Sequence, residues 1–116
     1  VLDPAKGMFW SWNSGYIMIK AEGTSPNSTS GNFTFHLGGF KGTNKVQVTK
    51  TYNFGATALV VDGDREAEIH MIANPARLWH SADKLAVKNT NTMPNAIAKT
   101  MSSTYYDAIR FDHIHN

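Results

Sequence analysis

Short segments in which apolar and polar residues alternate constrain the fold of this chain most. Residues 32–37 carry Phe, Phe and Leu at every second position, and residues 45–50 carry two valines in the same way. A period of two indicates a β-strand with one face on a core, because successive side chains point to opposite sides of a sheet. Residues 16–22 alternate over their second half. The pattern predicts a mostly-β fold.

Turn and helix signals complete the predicted secondary structure. Strands over residues 57–61 and 67–72 are expected to form a hairpin, because an Asp-Gly-Asp turn lies between them. Asn-Pro opens a short helix over residues 74–79, with the asparagine as N-cap and the proline in the first turn. A second short helix is expected over residues 94–101 and a terminal strand over residues 109–116.

Length and composition limit the architecture and the function classes. A chain of 116 residues corresponds to one domain, for which we predict an antiparallel β-sandwich-like sheet with two short helices. The net charge of +2 comes from scattered basic residues and gives no reason to expect a nucleic-acid partner. No apolar run is long enough for a membrane span. No nucleophile elbow, phosphate loop or zincin helix is present, so we do not expect an enzyme.

Metal binding is the chemistry that the histidines suggest. His113 and His115 lie two residues apart in the predicted terminal strand, so both imidazoles would project from one face. Imidazole nitrogen suits Cu, Zn and Ni, and the absence of cysteine removes thiolate ligands. The ordinary alternative for this pair is a solvated chain end. His70 shares a predicted strand face with Glu66 and Glu68, which we expect to be solvated and to have no role.

One further histidine and two tryptophans are candidate site residues near the predicted β-strands. His36 lies on the face of residues 32–37 opposite to the apolar side chains, and Gly-Gly follows it closely, which would allow a backbone or a ligand to approach. Trp10 and Trp12 lie in a segment dense with aromatic residues. Packing in or around the core is the simplest explanation for both indoles.

Three segments taken together resemble one family. They are residues 2–23, which include Met-Phe-Trp-Ser-Trp-Asn-Ser-Gly-Tyr, residues 35–39 with Phe-His-Leu-Gly-Gly, and residues 112–116 with Asp-His-Ile-His-Asn. In this order they are similar to the MbnP-like domain, in the form found in Bacteroidetes lipoproteins and secreted proteins. Members are about twice as long, so the resemblance implies that residues 1–116 form the C-terminal part of a single MbnP-like domain.

The resemblance also implies a function. Characterised members are exported copper-binding proteins of the periplasm or outer-membrane surface, encoded beside diheme peroxidase-like partners. Copper is held there by histidine nitrogens and a tryptophan oxidised to kynurenine. On this chain the resemblance assigns the modified residue to Trp10 or Trp12 and a ligand to His36. The pair His113 and His115 is added from strand spacing alone.

The sequence departs from the copper-linked pattern at one place and leaves a second function open. Copper-linked members often have a cysteine soon after His-Leu-Gly, and this chain has none. The alternative function is a metal-free β-domain at the cell surface that binds a protein or a glycan, with the aromatic segment as core or contact surface.

Overall fold

Six strands, one α-helix and two short 3-10 helices make up the part of the chain that the structure describes. This computed structural model describes residues 3–11, 15–80, 84–85 and 88–116. The strands are β1 (Phe9–Ser11), β2 (Gly15–Thr24), β3 (Asn32–Gly38), β4 (Glu68–Ile72), β5 (Thr90–Asn91) and β6 (Arg110–His115). The α-helix is α1 (Ala96–Asp107), and the 3-10 helices are η1 (Pro4–Lys6) and η2 (Pro75–Trp79).

The strands form two sheets. The larger sheet has the order β1-β2-β3-β5, and the smaller one pairs β4 with β6. The mostly-β prediction is therefore confirmed. The pairs β1–β2, β2–β3 and β4–β6 are antiparallel as expected, whereas β5 runs parallel to β3. That parallel edge differs from the expected antiparallel sheet. A long crossover connection, which contains β4 and η2, joins β3 to β5 and allows the two strands to run in the same direction.

The hydrophobic core lies between one face of the larger sheet and the helices. Phe35 and Leu37 of β3 are fully buried and join Ala98 and Met101 of α1 in one cluster, with Leu78 of η2 beside them. The alternation of residues 32–37 produces this arrangement, since it turns the apolar side chains of β3 toward α1. The opposite face of β3 carries His36 and is left for polar contacts.

An asparagine side chain forms the N-cap of each of the two predicted helices. Asn74 accepts a hydrogen bond from the Ala76 backbone and starts η2, which is a 3-10 rather than an α-helix. Asn95 accepts one from Ala98 and starts α1, which continues to Asp107, six residues beyond the predicted end. An N-cap asparagine satisfies a backbone N–H that has no partner within the helix, so the sequence locates helix starts better than helix ends.

Residues 45–50 do not form the strand that their alternation predicts. Val46 is 2% exposed and its N–H donates to the Gly39 carbonyl at 2.8 Å, but Val48 remains 46% exposed. The N–H of Gln47 approaches the same carbonyl at 3.3 Å. Val46 thus attaches an irregular segment to the core, and residues 45–50 form no ladder of hydrogen bonds with a neighbouring strand.

The predicted hairpin around Asp-Gly-Asp does not form, and only its turn is present. Asp62 and Arg65 form an isolated antiparallel bridge, and residues 57–61 contain no strand. The second arm does form as β4, but its partner is β6. The backbone of the first arm is hydrogen-bonded to the Asn116 side chain instead. The Asn116 amide accepts a hydrogen bond from the N–H of Val60 at 2.9 Å and donates one to the Ala58 carbonyl at 3.1 Å.

None of the helices in the described part of the chain has the length and apolar character that a bilayer-spanning segment requires.

Candidate functional site

His36 projects from the polar face of β3 toward a carboxylate on β2. It pairs with Lys20 across the ladder, and its Nε2 lies 2.5 Å from Oε1 of Glu22. Its side chain is 21% exposed. A carboxylate only accepts hydrogen bonds, so Nε2 of the neutral ring carries the proton and donates to Glu22. Nδ1, which this contact does not use, is then the ring nitrogen with a lone pair.

Charge and hydrogen bonding favour the ionised form of Glu22. The hydrogen bond from His36 holds the pKa of the Glu22 carboxyl below its ordinary value, against desolvation, which raises it. Attraction to the cation of Lys20 adds to the lowering, with Nζ 3.8 Å from Oε2 of Glu22. Glu22 is therefore a fixed acceptor that orients the imidazole of His36.

The indole of Trp10 lies against the end of β3. A Cβ placed on Gly38 would come within 2.9 Å of Cζ3 of Trp10 and 2.6 Å of the Tyr16 carbonyl oxygen. Only a glycine allows this approach. Gly38 is two residues beyond His36 on the same face of β3, so these two residues lie roughly 7 Å apart along the strand, with the indole packed against Gly38. Trp12 lies outside the described residues.

The C-terminal histidines lie on the other sheet. In the β4–β6 ladder Glu68 pairs with His115 and His70 pairs with His113. The rings of His70 and His113 stack with centroids 4.2 Å apart and planes 14° from parallel, and the ring of His115 lies 6.4 Å from that of His70. Three imidazoles and one carboxylate therefore share one face of the two-stranded sheet.

A β-bulge separates these polar side chains from the apolar ones. The register shifts between His70 and Met71, so that Met71 pairs with Phe111 and Asp112 has no partner in the ladder. This extra residue turns Phe111 to the face opposite to His113, where its ring meets that of Phe54 at 5.0 Å. Without the bulge, Phe111 and both histidines of β6 would share one face.

The family comparison decides the classification of the chain. The model of the family described as MbnP matches residues 1–102. The chain belongs to the MbnP family. Searches of curated proteins and of solved structures give no match. The MbnP match contains β1 to β5 and the start of α1, whereas β6 lies beyond it.

Membership of the MbnP family points to a metal-binding role, and the donors present fit one. His36 is a nitrogen donor whose other ring nitrogen is held by a carboxylate. That is the usual support for a histidine that binds a metal, because the carboxylate fixes the tautomer and the ring orientation. The indole of Trp10 contributes an aromatic wall on the same face.

The structure divides the predicted metal ligands of this MbnP chain between two sheets. His36 and Trp10 lie on the four-stranded sheet, whereas His113 and His115 lie on the two-stranded sheet. In the described part of the chain, the group of three side chains able to hold a metal is Glu68, His70 and His115, and His36 is not in it. The assignment of metal ligands stays a prediction.

Sequence reasoning missed Glu68 and His70. The sequence predicts a solvated hairpin face for them, because it pairs residues 67–72 with residues 57–61. Two signals could have found them: the Glu-x-His of residues 68–70 and the His-x-His of residues 113–115 each put two donors on one strand face. Local patterns could not show that the strands β4 and β6 are neighbours.

Proposed function

We propose that this MbnP-family chain is an exported copper-binding protein in which Nδ1 of His36 is a ligand and Trp10 lines the site. The observation that carries the proposal is the contact of the Trp10 indole with Gly38, two residues from His36 on the same strand face. Glu22 completes the arrangement, because its carboxylate holds the other nitrogen of His36. Distant parts of the sequence thus supply an indole, an imidazole and an orienting carboxylate.

Each side chain has a defined task in this proposal. A neutral imidazole nitrogen is a good ligand for copper. Copper bound there would be held as cargo or as an electron-transfer centre. Glu22 keeps the His36 ring in one orientation, and Lys20 neutralises part of the carboxylate charge. The MbnP resemblance supports Trp10 or Trp12 as the oxidised tryptophan, and Trp10 is the one described, packed against Gly38 two residues from His36.

The resemblance also supports the cellular setting that we propose. Copper-binding relatives work in the periplasm or at the outer-membrane surface, and we place this protein there. Their diheme peroxidase-like neighbours are the partner class that we propose for it. Such a partner would supply the oxidant for a tryptophan modification. Native material purified with that partner is therefore the sample in which a mass shift on Trp10 or Trp12 is expected.

A Cu(I) competition titration tests the proposal. The purified chain should take one equivalent of Cu(I) from a chromophoric chelator, and His36→Ala should abolish that uptake. Glu22→Gln keeps the ligand but loses its charged acceptor, so its affinity should fall by about tenfold or more. His80→Ala is the matched control, because His80 is exposed at the end of η2. Unchanged Cu(I) affinity in His36→Ala would reject the site.

Exposed apolar side chains favour a second candidate function, a metal-free surface domain that binds a protein or a glycan. Phe40 is 45% exposed, Val61 79% and Met93 64%. An exposed apolar side chain gains hydrophobic free energy when a partner covers it. Under this second function, Cu(I) would change neither the melting temperature nor the tryptophan fluorescence of the chain.

A further inference from the structure

We infer that the two-stranded sheet carries a second metal site, formed by Glu68, His70 and His115, for a borderline divalent cation such as Zn²⁺. The ligating atoms of these three side chains all lie within 4.8 Å of one another. Oε2 of Glu68 is 3.1 Å from Nε2 of His70 and 3.9 Å from Nδ1 of His115. The site is distinct from the proposed copper site, because it lies on the other sheet.

The distances between the donors suit one cation. Zinc binds imidazole nitrogen and carboxylate oxygen at about 2.0–2.2 Å in a tetrahedral shell, which sets neighbouring donors about 3.3 Å apart. The separations of Glu68 from the two histidines, 3.1 and 3.9 Å, bracket that value. Two histidines and one carboxylate are also a ligand set that leaves a fourth position for water.

The backbone already holds these side chains in register. Glu68 and His115 are direct partners in the β4–β6 ladder, and His70 follows Glu68 on the same strand face. His113 stacks on His70 and is itself fixed by a contact of 2.8 Å between its Nδ1 and Oδ2 of Asp112. His113 therefore supports the ring of His70 from one side.

An ordinary structural role explains this cluster poorly. The side chains of Glu68, His70 and His115 are 62%, 42% and 74% exposed. Exposed ion pairs contribute little to stability, about 0–1 kcal/mol. Three of the five histidines of the chain nevertheless lie on this one small face. Two of them, on β6, follow the segment that the MbnP family model matches, so the cluster extends beyond the matched family pattern.

The donor set selects the class of metal. The three donors are one carboxylate oxygen and two imidazole nitrogens, and the hard oxygen ligand suits a divalent cation better than Cu(I). A carboxylate combined with imidazoles suits Zn²⁺, Ni²⁺ and Cu²⁺, and affinity rises toward Cu²⁺ in the usual order. Zn²⁺ is the probe of choice, because it has no redox chemistry and reports binding alone.

Calorimetric titration of the purified chain with Zn²⁺ tests the inference. We expect one equivalent to bind, with affinity reduced about tenfold or more in His70→Gln and in His115→Gln. Both side chains are exposed, so neither substitution should alter the fold, which circular dichroism would verify. His80→Ala is the matched control, because His80 is exposed at the end of η2, and it should bind Zn²⁺ as the parent chain does.

A second readout locates the ion. The ring protons of His70 and His115 should shift in NMR spectra on addition of Zn²⁺, whereas those of His80 should not. No Zn²⁺ binding, or binding that survives both glutamine substitutions, would overturn the inference. Cu(I) uptake that depends on His36 is measured separately, so the loss of one site would leave the other site intact and measurable.

Discussion

Among single residues, Gly38 determines whether an indole can pack against the strand that carries His36. The place where its side chain would begin is taken up by the Trp10 indole and the Tyr16 carbonyl oxygen. His36 itself depends on one neighbour, Glu22, for its orientation. The proposed copper site is thus defined by a small residue and a carboxylate as much as by its ligand.

Substituting Gly38 tests that packing. Gly38→Ala would place a methyl group 2.6 Å from a backbone oxygen, which must move, so we expect a loss of about 1–3 kcal/mol in the free energy of unfolding and an altered tryptophan emission spectrum. Urea unfolding followed by fluorescence measures both. Gly63→Ala is the matched control, because nothing lies within 4 Å of a Cβ at Gly63. Equal stability of the two variants would contradict the close packing of Trp10.

Among the structural elements, α1 is the one whose start is most strongly specified. Asn95 caps the helix through Oδ1, which accepts from the Ala98 N–H at 2.9 Å. Its Nδ2 donates to Oδ1 of Asn91 at 2.8 Å, and Asn91 returns a bond at 3.2 Å. Asn91 is only 7% exposed and lies in β5, so this pair joins the helix start to the edge of the larger sheet.

The cap of α1 leads to a prediction about stability. Asn95→Ala should lower the free energy of unfolding by about 1 kcal/mol for the lost cap. It should cost a further 1–3 kcal/mol, roughly, because the buried amide of Asn91 loses both hydrogen bonds to Asn95 and keeps the one that it donates to the Met93 carbonyl. Thermal unfolding followed by circular dichroism at the helix band measures the sum. Asn53→Ala, in an exposed turn, should change stability by roughly 0.5 kcal/mol at most. A similar effect of both substitutions would contradict the role of the pair.

The elements also show how far the sequence alone could lead. Alternation located β2 and β3, and Asn-Pro and Pro-Asn located the helix starts, because these signals act within a few residues. The strand predicted over residues 45–50 was wrong, because alternation does not reveal whether a partner strand exists. The pairing of β4 with β6 joins residues about forty positions apart, and no local pattern encodes it. For that reason His36 could be singled out in advance, whereas the meeting of Glu68 and His70 with the histidines of β6 could not.

The whole molecule is extended for its length. Its radius of gyration is 17.0 Å, with principal extents of 50 × 33 × 27 Å, compared with about 13 Å for a compact domain of this size. Phe35 and Leu37 place the core on the larger sheet, while β4 and β6 contain no buried residue. The two proposed metal sites therefore belong to separate parts of the molecule and should bind their ions independently.

The position of copper itself tests the proposed site at His36 most directly. Crystals of the Cu(I)-loaded protein would show the metal by anomalous scattering at the copper absorption edge. We expect a peak bonded to Nδ1 of His36 on the face that carries Trp10. A map with no peak at His36, and copper found instead only between Glu68 and His115, would contradict the proposed copper site.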